Sequence, residues 1–286
     1  MLRTIRIFQM QMLKSLGTVQ FWAPFALAFG AVINAALPLS EITAHYSTPV
    51  NAFSAAFLLS DRLTAFTIFL GVFILFSELP LRDNNQTLLL VRSGKRPWIF
   101  GQILYVIAVS VIYFITIFAF YCLILITRID FSAANWGKVV DTISATNISE
   151  TFGLRIRMPQ NVLSAFSPIK AFGVSFSLAI FISITLGIVI LSLNLIVGRS
   201  SGLFVSGFFI FLRMFLDYIN AIHSVMFYYS PVGWCSLILL DKNGSSPLPS
   251  ASYAVTVLSI VSVLLIALLF GYGSKRFKFS LYEKGK

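Results

Sequence analysis

The sequence predicts an all-α integral membrane protein built as a bundle of six spanning helices, and three observations predict it. Hydrophobic residues make up 58% of the 286 and charged residues 11%, whereas a soluble domain carries roughly a quarter charged. Mean hydropathy is +0.89. The apolar residues also fall in continuous runs close to the ~20 residues that cross a hydrocarbon core, without the alternation that membrane-spanning strands require.

Residues 1–17, MLRTIRIFQMQMLKSLG, set Met1, Leu2, Ile5, Phe8, Met12, Leu13 and Leu16 at helical spacing, with Arg3, Arg6, Gln11 and Lys14 opposite them. That pattern predicts an interfacial helix with its apolar face in lipid. Spans follow at about 19–38, 63–81, 98–126, 172–197, 201–219 and 251–272. The first has features of a signal peptide, since basic residues precede it and INAAL offers small residues, but its length and Pro38 favour an uncleaved span.

Between the second and third spans lies ELPLRDNNQTLLLVRSGKRPW, residues 78–98. Asp83 suits a helix N-cap with Gln86 three positions on, Gly94 suits a helix stop, and Pro97 suits the first turn of the third span. A loop that only turned back would need about four residues. The stretch therefore predicts a short rigid helix over 82–94. The connection 128–171 is long enough for a small helix or hairpin. GRSSG makes the fourth and fifth spans antiparallel neighbours. AIHSVMFYYSPVGWCSLILLD is broken by Pro231 and Gly233. It predicts a broken or re-entrant segment at the membrane surface, where Tyr and Trp are favoured.

With the N-terminus inside, thirteen of the 21 basic residues fall in cytoplasmic segments and six of the ten acidic residues fall outside. The asymmetry predicts a multi-pass protein with both termini cytoplasmic. It also accounts for the net charge of +11 through attraction to an anionic inner leaflet, with no call on nucleic acid.

Catalytic patterns are missing from the sequence. SGKRP and WGKVV lack the glycine spacing and hydroxyl of a phosphate-binding loop, so no ATPase, and no enzyme, is expected on this chain. His45 and His223 stand apart from any metal-ligand spacing, and no metal is expected. Cys122 and Cys235 are too far apart in the topology to suggest a disulfide. Arg213 and Asp217, spaced i,i+4 in the fifth span, predict an intramembrane ion pair. Phenylalanine accounts for 29 residues. Phe66, Phe69, Phe73 and Phe76 line up along the second span, and Phe204, Phe208, Phe211 and Phe215 along the fifth. Such stripes face lipid, pack between helices, or line a greasy path.

The stretch LPLRDNNQTLLLVRSGKRPWIFGQIL, in which a polar helix precedes SxxRxWxxG, and the segment YYSPVGW at 228–234 together resemble the ABC-2 type (type V) exporter permeases of bacteria. The likeness covers essentially the whole chain. It implies that 82–94 is a coupling helix docking on a separate ABC ATPase subunit through Arg82, Asp83, Asn84, Asn85, Gln86, Arg92 and Ser93. ATP and Mg would sit on that partner, with no cofactor on this chain. It further implies a second permease copy or paralogue, a central path between spans two and five lined by the two phenylalanine sets, and a place in the bacterial plasma membrane. The expected cargo is amphipathic or hydrophobic, with a peptide favoured. A stand-alone secondary carrier or channel is the alternative, although the spans offer no carboxylate relay for coupling.

Overall fold

The computed structural model describes residues 2–81, 94–146, 152–198, 200–219, 224–241 and 246–273. Within them the chain is an all-α membrane protein. In order these are α1 (Leu2–Leu16), α2 (Val19–Tyr46), α3 (Arg62–Phe76), α4 (Lys95–Ile124), α5 (Lys138–Ala145), α6 (Gln160–Ala165), α7 (Pro168–Ile196), α8 (Ser201–Ile219) and α9 (Ala251–Leu268). Four of them, α2, α4, α7 and α9, are long and apolar enough to cross a membrane.

The count differs from the six spans expected. At 1.5 Å per residue, the 15 residues of α3 reach about 22 Å against a hydrocarbon core of about 30 Å. The helix cannot start earlier because Asp61 caps it, accepting from Thr64 N at 2.8 Å and Thr64 Oγ1 at 2.7 Å. Ahead of the cap, the buried 3₁₀ helix Ala52–Leu59 lies bent 83° away from α3, and counting this pair as one gives five candidate spans. The fifth expected span, α8, is a shorter apolar helix.

The first span also runs farther than expected, continuing through Pro24 and Pro38 to Tyr46. Neither proline ends it, and its last carbonyls, left without helix partners, find one outside the helix. Arg128, which follows α4, donates from Nη1 to Thr43 O at 2.7 Å.

The core forms where α2, α3, α4 and α7 meet. At its centre the Tyr113 hydroxyl of α4 lies 2.9 Å from Ile68 O on α3 and 3.4 Å from Pro24 O on α2. Gly71 makes this possible, since a Cβ there would strike the Tyr113 hydroxyl and crowd Pro24 O. Paired hydroxyls stitch the helices further, with Ser110 on α4 to Ser183 on α7 at 2.9 Å and Thr185 on α7 to Ser262 on α9 at 3.0 Å. Such small polar contacts replace the hydrophobic drive that lipid cannot supply.

One end of the bundle carries a folded cap. A short parallel pair, β1 (Val50–Asn51) and β2 (Ile129–Asp130), joins the chain after α2 to the chain after α4. Asn51 donates to Ser132 O at 2.7 Å and to Asn135 O at 2.9 Å. Trp136 packs tilted against Phe57, ring centroids 5.3 Å apart, and donates to Phe166 O at 3.0 Å. Two further 3₁₀ turns, Ser224–Tyr229 and Pro231–Cys235, give the segment around Pro231 the broken helical form expected of it. Ser175 of α7 ties them in, its hydroxyl lying 2.6 Å from Cys235 O and 3.2 Å from Ala56 O.

At the other end α1 lies against α4, with Ile7 directly over Gly101. Here the two-faced expectation needs correcting. Gln11 and Ser15 are buried alongside Ile7, while Ile5, Leu13 and Leu16 are exposed. Arg3, Arg6 and Lys14 are exposed as well. The helix thus has a protein-facing stripe of its own, drawn in by the flat site at Gly101, besides an apolar and a basic side.

Candidate functional site

The end that carries α1 also holds the root of the polar stretch that follows α3. Asn194, near the end of α7 and almost fully buried, donates from Nδ2 to Leu79 O at 2.7 Å. Its Oδ1 accepts from Gly202 N at 2.9 Å and Ser200 N at 3.2 Å. One side chain therefore binds the exit of α3, the end of α7 and the start of α8. Gly202 lets α8 come this close, since a Cβ there would overlap the Ile190 backbone. The Ser201 hydroxyl closes the turn on Leu193 O at 2.8 Å. From α4, the fully buried Gln102 donates to Leu81 O at 3.4 Å. Both anchors bind backbone, so residues 79–81 are held whatever their side chains. The expected coupling residues Arg82, Asp83, Asn84, Asn85, Gln86, Arg92 and Ser93 lie outside the described residues.

The second feature is the phenylalanine of α3 and α8. On α8 the expected stripe is a single exposed face, with Phe204 81%, Phe208 63%, Phe211 53% and Phe215 55% exposed. On α3 the stripe splits. Phe69 and Phe76 are enclosed in the core, and only Phe66 and Phe73 reach its edge. Positions three apart differ by about 60° around a helix with 3.6 residues per turn, which is enough to send one pair inward and leave the other outward. The two stripes meet where they are exposed. The rings of Phe66 and Phe211 are 5.4 Å apart, and Phe73 rests over Gly207. A continuous aromatic face therefore runs across α3 and α8 on the outside of the single chain, and any path it lines must be completed by a neighbour.

Arg213 points inward from α8, nearly fully buried, with Nη2 at 3.5 Å from Ser60 O. It also lies close enough to act on the Cys235 thiol. The guanidinium thus sits at the junction of the cap with α3 and α8, while the Asp217 side chain of the expected ion pair lies outside the described residues. Cys122 and Cys235 are both free thiols. Burial pushes the Cys235 thiol up to about 12, outweighing the lowering effect of Arg213. The thiolate is the reactive species, and a raised pKa leaves less of it at a given pH. Maleimide at pH 8 is accordingly expected to spare Cys235 in the folded protein and to modify it after unfolding, as read by peptide mass spectrometry.

Asn194 and Gln102 were not among the residues singled out from sequence. The signal was present, since each is an uncharged polar residue inside a long apolar run, LSLNLIV and IFGQILY. In hydrocarbon such residues must face protein and find partners. Comparison with known proteins finds no matching family model, no matching curated protein and no matching solved structure.

Proposed function

We propose that the chain is the permease subunit of an ATP-driven exporter of the ABC-2 type, working in a bacterial plasma membrane with both termini cytoplasmic. The observation that carries this reading is the double anchorage of residues 79–81 by Asn194 and Gln102. A segment that receives force from a partner must be rooted in the helices it moves, and this root reaches α4, α7 and α8 at once. The segment it roots, 82–94, is the stretch whose sequence resembles a coupling helix. A separate ABC ATPase subunit binds ATP and Mg and docks there. The exposed face of α3 and α8 supports the second element of the proposal, a second permease copy or paralogue. Two such faces opposed across a two-fold axis enclose a path lined by Phe66, Phe73 and the α8 stripe, suited to an amphipathic or hydrophobic cargo such as a peptide. In this arrangement α8 and the bent α3 pair count with α2, α4, α7 and α9 as six spans.

The test is co-purification with an ABC ATPase encoded beside this chain. The intact chain is expected to hold the ATPase, and the triple variant D83A/Q86A/R92A to lose the complex or the stimulation of ATP hydrolysis. Transport by the purified chain without nucleotide, and no bound ATPase, would instead establish a stand-alone carrier.

A further inference from the structure

A second site lies toward the cap end, away from the clamp that Asn194 and Gln102 form on residues 79–81 and adjoining the aromatic face only through Phe209, whose ring is 5.6 Å from that of Phe208. Between α7, α8, α9 and the two 3₁₀ turns after α8 is a cavity of about 270 Å³. Its walls are apolar and aromatic, with Trp234 and Leu186 buried and Tyr253 and Val257 partly so. The polar groups on those walls are already satisfied within the protein. Trp234 donates to Phe227 O at 2.8 Å, Tyr228 to Leu248 O at 3.3 Å, and Tyr253 to Tyr228 O at 3.4 Å. The Thr185 hydroxyl is shared with Ser262. The exception stands at the rim, where Tyr229 is 65% exposed; the apolar Val261 of the lining is exposed as well.

This lining specifies its guest. Walls with no hydrogen bond left to offer do not hold water, and an apolar cavity of about 150 Å³ already stays dry and takes up apolar molecules. The volume is too small for a whole drug-sized molecule, whose pockets start at about 300 Å³, but it suits a length of hydrocarbon chain. Exposed Tyr229 at the mouth, next in the chain to half-buried Tyr228, puts the opening at a membrane interface, where the polar end of an amphiphile resides. α9 is the least enclosed of the long helices, so the opening faces lipid. From the cavity, its satisfied walls and its wet rim we infer that this is a binding site for the hydrocarbon chain of an amphiphile, with the head group at Tyr229. The chain comes either from a bilayer lipid or from a free single-chain amphiphile, and the test separates the two. The inference rests on the cavity alone and stands whether or not an ATPase partner exists.

Trp234 in the wall serves as the reporter. The full-length protein is reconstituted into vesicles of phosphatidylcholine with dibrominated acyl chains, which quench tryptophan on contact. The Trp234 share of the emission is taken as the difference between the unsubstituted chain and W234F. Most of that share is expected to be lost. It should return when the cavity is filled by Val257→Phe or, independently, by Val189→Phe, but not in the lipid-facing control Val263→Phe. If bromolipid leaves Trp234 bright but brominated fatty acid added to plain vesicles dims it, the guest is a free amphiphile. Emission from Trp234 untouched by both probes, with exposed Trp22 quenched in the same vesicles, overturns the site. So does quenching that persists in a filled variant shown by circular dichroism to be folded. The quenching measurement needs only the unsubstituted chain and W234F, so it decides the matter even where a filled variant fails to fold.

Discussion

Replacing Asn194 with leucine is expected to lower stability by on the order of 2–4 kcal/mol, given about 1–3 kcal/mol for each buried group left without its partner and smaller values within membranes. Three backbone groups lose their partner together, namely Leu79 O, Ser200 N and Gly202 N. The loss reads out as a lower unfolding temperature and as faster trypsin cleavage between α7 and α8. The aspartate variant divides the effect. Its oxygens can still accept from Ser200 and Gly202, so the turn holds, while Leu79 O faces an acceptor instead of a donor and is released. If exporter coupling works through the root of 82–94, N194D retains a closed turn and a bound ATPase yet loses stimulated ATP hydrolysis. Normal stimulation in a folded N194D would remove Asn194 from the transmission route.

Gly71→Ala is the second large effect, and its sign is the diagnostic feature. In an exposed helix interior, alanine stabilises by about 1 kcal/mol relative to glycine. Here the new Cβ meets the Tyr113 hydroxyl and the Pro24 carbonyl, and overpacking of this kind costs about 1–3 kcal/mol. Tyr113→Phe alone gives up a hydrogen bond to Ile68 O worth about 0.5–1.5 kcal/mol. Combined, the two changes are expected to cost clearly less than their sum, because removing the hydroxyl makes room for the methyl group. Additive losses in thermal unfolding would mean that the pair does not touch as described.

Much of this architecture is legible in the sequence because hydrocarbon leaves few alternatives. Runs such as those in α4, α7 and α9 can only be helices, and Pro231 with Gly233 break the segment after α8 where expected. What the sequence does not display is direction around a helix axis. The seven-residue repeat on α3 puts Phe66 with Phe73 and Phe69 with Phe76, and only the position of α8 and α4 decides which pair is outside. Pro38 does not mark the end of α2, which runs on to Tyr46, and the carbonyl of Thr43 near its true end is met by Arg128 from 85 residues away. The 3₁₀ helix Ala52–Leu59 was hidden for another reason. Its sequence, AFSAAFLL, is as apolar as a span, and only the flanking Asn51 and Asp61 mark it as a separate capped piece. The clamp was hidden because a lone asparagine in a greasy run announces that it needs a partner without saying which one.

The cap sets the order in which the molecule can be completed during synthesis. Its strand pair needs residue 129, its tryptophan contacts need residue 166, and the Ser175 hydroxyl needs Cys235 as well as Ala56. The earliest of these partners must therefore wait beside the membrane while more than a hundred later residues are made and inserted. Until residue 235 arrives, Ala52–Leu59 has no finished roof, and its apolar surface is left to lipid or to a chaperone. Contacts so distant in the chain are slow to form because loop closure comes before any gain from the contact. A chain stalled before α8 would hold a nearly complete set of membrane helices under an open cap, the form that quality-control proteases could distinguish from the finished protein.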